Sequence, residues 1–259
     1  MHVPDGYLDA ATTAGTAAVA AAGVALALRG SRRELDERTA PMAGLTAAFV
    51  FAVQMMNFPV AYGTSGHLIG GALTAVLVGP WTAVLCMTVV LLVQALVFAD
   101  GGLTALGTNV TLMGLVAVAV GYGAFAGLRR VLPDGRTGVL AAAGVGAFLS
   151  VPAAALVFAG LFGLGGVADV SLAAVAAAMG GVHLLIGLGE AAITVAVLGA
   201  VLAVRPDLVR GARHLTRSAG TLAPRPEAAG RPRTPNTTAP MPPAHPAAEQ
   251  PALIRTDAR

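Results

Sequence analysis

The feature that most constrains this chain is the placement of its arginines among apolar segments. Apolar runs fall at 10–28, 40–57, 67–79, 81–98, 108–128, 137–162 and 172–203. Long runs of this kind mark membrane-spanning helices, which need about 20 residues each. The chain contains no Lys, so all 16 basic residues are Arg. With seven spans and the amino terminus outside, the inside segments 29–39, 129–136 and 204–259 hold every Arg. The outside segments 1–9, 58–66, 99–107 and 163–171 hold none. Cytoplasmic loops carry the basic excess in membrane proteins. Six spans, with 67–98 as one broken helix, would put the cluster at 29–39 or the one at 129–136 on the wrong side. The expected fold is therefore all-α and polytopic. It has about seven transmembrane helices in the cell membrane, with the amino terminus outside and the carboxyl terminus inside.

Only 11% of residues are charged and 56% are hydrophobic, against about 25% charged in soluble domains. The net charge of +3 thus reports topology rather than a nucleic-acid partner. Cys86 is the only cysteine and cannot form an internal disulfide. Residues 1–9 lack the basic region of a signal peptide, so Met1 is expected to be the mature start. Residues 1–204 are expected to form the membrane domain. Residues 205–259, rich in Pro, Ala, Arg and Thr, are expected to form a disordered cytoplasmic tail. Ala14, Ala18 and Ala22 form a small-residue stripe suited to packing within the chain or to docking a membrane partner. Two segments deviate from a simple span. The third is short, and the last carries Gly180, Gly181, Gly187 and Gly189. Short or glycine-interrupted spans often line binding sites.

This topology gathers His2, Asp5, Tyr7, Asp9, Asn57, Tyr62, Thr64, Ser65, His67, Asp100, Thr108 and Asn109 on the outer side. The amine of Met1, the amide nitrogen of His2 and the His2 imidazole can chelate one metal. Amine and amide close a five-membered ring; amide and Nδ1 close a six-membered one. A further imidazole completes a square of four nitrogens, a geometry that suits Ni(II) or Cu(II) and admits low-spin cobalt. His67 is the candidate for that place. A bulky second residue such as His favours retention of Met1. The plain alternatives are an incidental His2 and a His67 that hydrogen-bonds a loop carbonyl.

Four motifs carry a family resemblance. They are MHVPDGYL at 1–8, MNFPVAYGTSGHLIGGALTAVLVGPW at 56–81, QALVFADGGLTALGTNV at 94–110 and HLLIGLGEAAIT at 183–194. The chain resembles the CbiM/NikM family, the substrate-binding (S) components of energy-coupling-factor transporters for cobalt and nickel, over about residues 1–203. The resemblance implies seven helices and an extracytoplasmic amino terminus tucked into the protein. It also implies a metal held by Met1, His2 and His67. The implied partners are a membrane T component (CbiQ/NikQ-like), two ATPase subunits (CbiO/NikO-like) and a small accessory membrane protein (CbiN/NikN-like). The expected substrate is Co(II) for cobalamin synthesis, with Ni(II) as the alternative and no organic cofactor.

A supporting shell is expected from Asp5, Asn57, Thr64, Ser65, Gln94, Asp100 and Asn109. Each has a plainer reading. Pro4-Asp5-Gly6 is a turn signal, Thr64 and Ser65 suit a helix cap, and Gln94 suits a bond between helices. Met55 and Met56 are read as apolar packing. His183 and Glu190 share a helix face seven residues apart, with Glu190 expected near the cytoplasmic side, far from His67. No Walker A or HExxH pattern occurs, so the chain is expected to be a transporter subunit rather than an enzyme. A membrane metalloenzyme and a channel are the rival classes.

Overall fold

The computed structural model describes residues 1–37, 39–59 and 65–213. Seven helical bodies stand where the apolar segments predict them. They are α1 (Ala10–Ser31), α2 (Thr39–Gln54), α3 (Gly71–Val78), α4 (Pro80–Val97), a continuous helix over Leu106–Leu128, α7 (Arg136–Gly165) and α8 (Leu172–Val204). The continuous helix comprises α5 (Leu106–Asn109), a π-helical stretch (Val110–Val116) and α6 (Ala117–Leu128). Between α2 and α3 lies a two-residue antiparallel pairing of β1 (Phe58–Pro59) with β2 (Ser65–Gly66).

Five of the helical bodies are long and apolar enough to cross a membrane. The 16-residue α2 is shorter. The 8-residue α3 rises only about 12 Å, well short of a bilayer core. The single broken helix over 67–98 is not what forms. Gly79 takes φ 104°, the left-handed side that favours glycine, and Pro80 opens α4. The chain turns there, and α3 packs against α4. The buried Glu34 supports this turn by accepting a 2.7 Å hydrogen bond from the Thr82 amide at the start of α4.

Helix α3 begins at Gly71 rather than at His67, because residues 67–70 stay non-helical. All eight α3 residues are buried. This inserted element fills the centre that longer helices surround. Helix α8 runs unbroken through Gly180, Gly181, Gly187 and Gly189. They do not kink it; at Gly187 a Cβ would stand 2.9 Å from the Phe148 carbonyl oxygen, so that glycine serves close packing on α7.

Of the two readings of the stripe at Ala14, Ala18 and Ala22, packing within the chain does not form, since all three are exposed. One further expectation changes. Residues 205–213, expected to begin the disordered tail, form two short 3-10 turns. Val209 and Ala212 are buried there. Arg210 donates to the Glu34 carbonyl at 3.1 Å, and Arg213 meets Asp36 at 3.2 Å. Apolar contacts and arginine bonds thus extend the fold past residue 204. The expected tail from 214 onward lies outside the described residues.

Helices α1 and α5 touch at Gly107, where a Cβ would overlap Ala17 Cα. Thr16 locks the same contact through Thr108 at 2.7 Å and by accepting at its carbonyl from Thr111 at 3.0 Å. Gly107→Ala should therefore destabilise the protein by about 1–3 kcal/mol, the usual cost of overpacking. A lower thermal midpoint in detergent is the expected readout, with Gly15→Ala, which meets open space, as the unaffected control.

Candidate metal centre

The site is built by threading the amino terminus into the protein. Asp9 caps α1 by accepting from the Thr12 amide at 2.7 Å, and its own amide donates to Gly165 O at 2.7 Å. Leu8 pairs with Gly166 in an isolated β-bridge. Tyr7 packs on Phe158 and Phe162 of α7. Val3 then pairs with Asn109: its amide donates to Asn109 Oδ1 at 2.8 Å and its carbonyl accepts from Asn109 Nδ2 at 3.1 Å. The Val3 carbonyl also accepts from the Gly102 amide at 3.0 Å. These bonds satisfy the backbone of a strand-like segment that no sheet covers.

Asp5 clamps the same loop from its exposed side. Its carboxylate accepts from the Thr104 hydroxyl and from the amides of Leu103, Thr104 and Ala105. The Thr104 hydroxyl bond is the main reason that its pKa lies below the usual carboxylate value. Gly102 permits this approach, since a Cβ there would overlap the Asp5 carboxylate and amide.

The threading ends with Met1 and His2 buried, at 1% and 5% exposure. Burial pushes the Met1 amine well below 8.0, and Asp100 partly opposes that shift. The His2 ring stacks on His67, with centroids 4.5 Å apart and planes 26° from parallel. His2 Nε2 lies 3.2 Å from Gln94 Oε1. His2 Nδ1 lies 3.2 Å from Asp100 Oδ1 but off the line that a hydrogen bond needs, so it has no hydrogen-bond partner.

His67 is fully buried. Its Nδ1 donates to the Leu68 carbonyl at 2.7 Å, as the plain reading of a loop-bonded histidine expects. That bond fixes the tautomer and leaves Nε2 as a bare acceptor, and it too has no hydrogen-bond partner. Burial lowers the His67 pKa well below 6.5, helped by the nearby amino terminus, His2 and His183. The arrangement therefore brings together a buried amine, a backbone amide and two ring nitrogens without hydrogen-bond partners. Among the described residues, no three His, Cys, Asp or Glu side chains are grouped to hold a metal ion.

The supporting residues divide. Asn57 donates to Asp100 Oδ2 at 3.2 Å, and Gln94 and Asp100 face His2 directly. Asp5 and Asn109 hold the amino-terminal segment through hydrogen bonds to its backbone and to the 103–105 loop. The backbone of Ser65 lies in β2 rather than capping a helix. Thr64 and Tyr62 lie outside the described residues.

Sequence reasoning missed the elements that hold His67. Glu190 accepts from the amides of Ile69 at 2.8 Å and Gly70 at 2.6 Å. Its expected place near the cytoplasmic side, far from His67, is wrong. Helix α8 has 33 residues, so residue 190 sits just past its middle, and the non-helical 67–70 segment carries the chain in to meet it. From the other side, Gln54 Nε2 donates to Ile69 O at 2.6 Å. A buried Gln inside an apolar run was a signal available in the sequence.

A family model described as the cobalt uptake substrate-specific transmembrane region matches residues 2–208. The chain belongs to the CbiM family. Cobalt transport protein CbiM of Sorangium cellulosum is 39% identical over 213 residues, covering 81% of this chain and 94% of that protein. Fused nickel transport protein NikMN of Rhodobacter capsulatus is 39% identical over 165 residues, covering 63% of this chain and 47% of that one. The crystal structure of a truncated transition metal transporter superposes with TM-score 0.73 at 32% identity, over 78% of this chain and 99% of the other. This CbiM-family chain is thus a multi-pass membrane protein of cobalt and nickel transport.

Asp5→Ala should weaken Co(II) or Ni(II) binding by about 10–100-fold, the range for residues that orient a metal site from behind. Titration of the purified protein measures this. Because the folded-state pKa of Asp5 lies below its ordinary 3.8, its contribution persists above that value and is lost as pH falls below it. Hydrogen exchange at residues 103–105 should accelerate only in that acid range.

Proposed function

We propose that this chain is the substrate-capture subunit of an ATP-driven energy-coupling-factor transporter, taking Co(II) from outside the cell. The ligands are the Met1 amine, the His2 amide and Nδ1, and His67 Nε2. One observation carries the reading: an amino terminus threaded into the protein until its amine and His2 lie buried against His67, with Nδ1 and Nε2 both free of hydrogen bonds. Leaving such acceptors unmet in a folded interior costs about 1–3 kcal/mol each. A captured ion satisfies both. Ligation of one ion by both rings would turn them from a face-to-face stack toward an edge-on arrangement.

Ni(II) is the alternative substrate, since a square of nitrogens suits it well and the Rhodobacter relative is a nickel transport protein by name. That relative is also a fused protein, which supports a small accessory subunit (CbiN/NikN-like) as partner. The T component and the paired ATPases follow from the family resemblance. They agree with the lack of a Walker A motif in this chain. The orientation proposed is amino terminus outside and carboxyl terminus inside, supported by the arginine distribution.

His2→Ala and His67→Ala should each abolish metal uptake by cells carrying the whole transporter, while membrane insertion stays normal. Uptake assays with a membrane-fraction blot check this; normal uptake by both variants would remove the site. One residue added before Met1 should be as damaging, because it converts the amine into an amide without altering any side chain.

A further inference from the structure

The arginines near the helix ends fall into two groups. Arg129, Arg205 and Arg213 each meet an aspartate. Arg29, Arg33 and Arg210 meet no carboxylate among the described residues. Arg210 spends its hydrogen bonds on neutral acceptors, the carbonyls of Glu34 at 3.1 Å and Arg33 at 3.4 Å, so its charge stays uncompensated. These three arginines line one cavity of about 420 Å³, a size within the range of about 300–1,000 Å³ that ligand pockets occupy. The acid in its wall is Glu34, whose buried carboxylate is engaged by the Thr82 amide at the start of α4. The cavity therefore keeps a positive excess.

Positive charge at a helix end needs no ligand by itself. Arginines suit the C-terminal end of a helix dipole, and they set topology. Neither role requires a walled cavity with an aromatic side. Here the indole of Trp81 lies against α1 at Gly30, where any Cβ would overlap the ring. Leu26, Arg29, Gly30 and Arg33 all line the cavity and have the spacing of one helix face. Leu26 is exposed within an apolar span, so in a membrane its neighbour is lipid. Arg33 stands seven residues on, about 10 Å along the axis, past the end of that span. The cavity is thus apolar where acyl chains run and cationic where headgroups lie. Trp81 sits at the boundary, the level that tryptophan favours. A free phosphate needs only the cationic end, whereas a lipid uses both.

We propose that this cavity binds the phosphate of an anionic phospholipid, with the acyl chains running past Leu26. Arg29, Arg33 and Arg210 supply the donors, since guanidinium groups match phosphate oxygens two at a time. Basic pockets between membrane helices on the cytoplasmic side take anionic headgroups in this way, and the orientation proposed above puts this end of α1 inside. Arg29 lies in the last turn of α1 and Arg210 follows α8, so a bound lipid clamps those two ends together. The site is separate from the metal centre. Helix α1 has 22 residues, about 33 Å, with Asp9 and the amino-terminal segment at its far end.

Trp81 is the one tryptophan of the chain, so its fluorescence reports this cavity. The full chain is placed in phosphatidylcholine nanodiscs holding a minor share of phosphatidylglycerol, with bromine on the acyl chains of one lipid or the other. Bromine quenches an indole only at close range. Molecule for molecule, brominated phosphatidylglycerol should quench Trp81 at least about tenfold more effectively than brominated phosphatidylcholine. Arg29→Gln and Arg33→Gln should each cut that preference about fivefold, the effect of one basic group at an anionic surface. Arg32→Gln removes the same charge from an exposed neighbour outside the cavity and should leave the preference unchanged. Equal quenching by the two lipids in the wild type overturns the proposal, whether or not the variants fold. So does a loss in Arg32→Gln equal to that in Arg33→Gln, because the preference would then belong to a charged surface and not to the cavity. Inorganic phosphate that displaces brominated phosphatidylglycerol at matched ionic strength would assign the cavity to a soluble phosphate and overturn the lipid reading. Both faces of the disc carry both lipids, so the result does not depend on the orientation of the chain.

Discussion

The structure depends on one constraint: a free amino terminus, ordinarily mobile and hydrated, is held in the interior. Taking an amine and an imidazole out of water is unfavourable unless their polar atoms are met. Bonds along residues 1–9 hold the segment in place, while His2 Nδ1 stays unmet. Asp9 and Leu8 pin the entrance against the end of α7, Val3 exchanges two bonds with Asn109, and Asp5 gathers the 103–105 amides. The π-helical stretch starts directly after Asn109. Such irregularities cluster at functional sites, and this one lies next to the residue that grips the terminus.

The second half of the site is held by a different device. His67 sits on a non-helical segment, whose backbone groups must find partners inside the protein. Glu190 supplies acceptors for two amides, and Gln54 a donor for one carbonyl. The Glu190 carboxylate also stands at the N-terminus of α3, where the helix dipole favours negative charge. Movement of α8 against α2 would therefore be felt within three residues of His67. The contact thus links the segment next to His67 to a long helix that runs past it.

Much of the fold was legible because membrane helices announce themselves by length and hydropathy, and all seven segments formed helices. The departures are instructive. A 13-residue apolar run became a non-helical stretch followed by an 8-residue helix, because Gly70 and Gly79 adopt positive φ and Glu190 offers a cap from a distant helix. Sequence periodicity carries no record of such a long-range partner. The ends of the site were easier. His2 and His67 stood out as rare ligating side chains on the outer side, and the structure stacks them. Gln94 and Asp100 flank His2, whereas Asp5 and Asn109 act through the backbone of the terminal segment. Residues 205–213 look like tail by composition, yet Arg210 and Arg213 reach back to Glu34 and Asp36.

In the proposed chelate a backbone amide nitrogen, and not only side chains, binds the ion. An amide must lose its proton to do so, while the buried Met1 amine and His67 already lie below their ordinary pKa values. The most direct measurement is the number of protons released per ion, from calorimetric titrations at pH 8 in buffers of different ionisation enthalpy. The expected result is about one proton per Co(II) or Ni(II) bound, the amide proton of His2. Tight binding with no proton released would contradict it, because the ion would then be held without the amide.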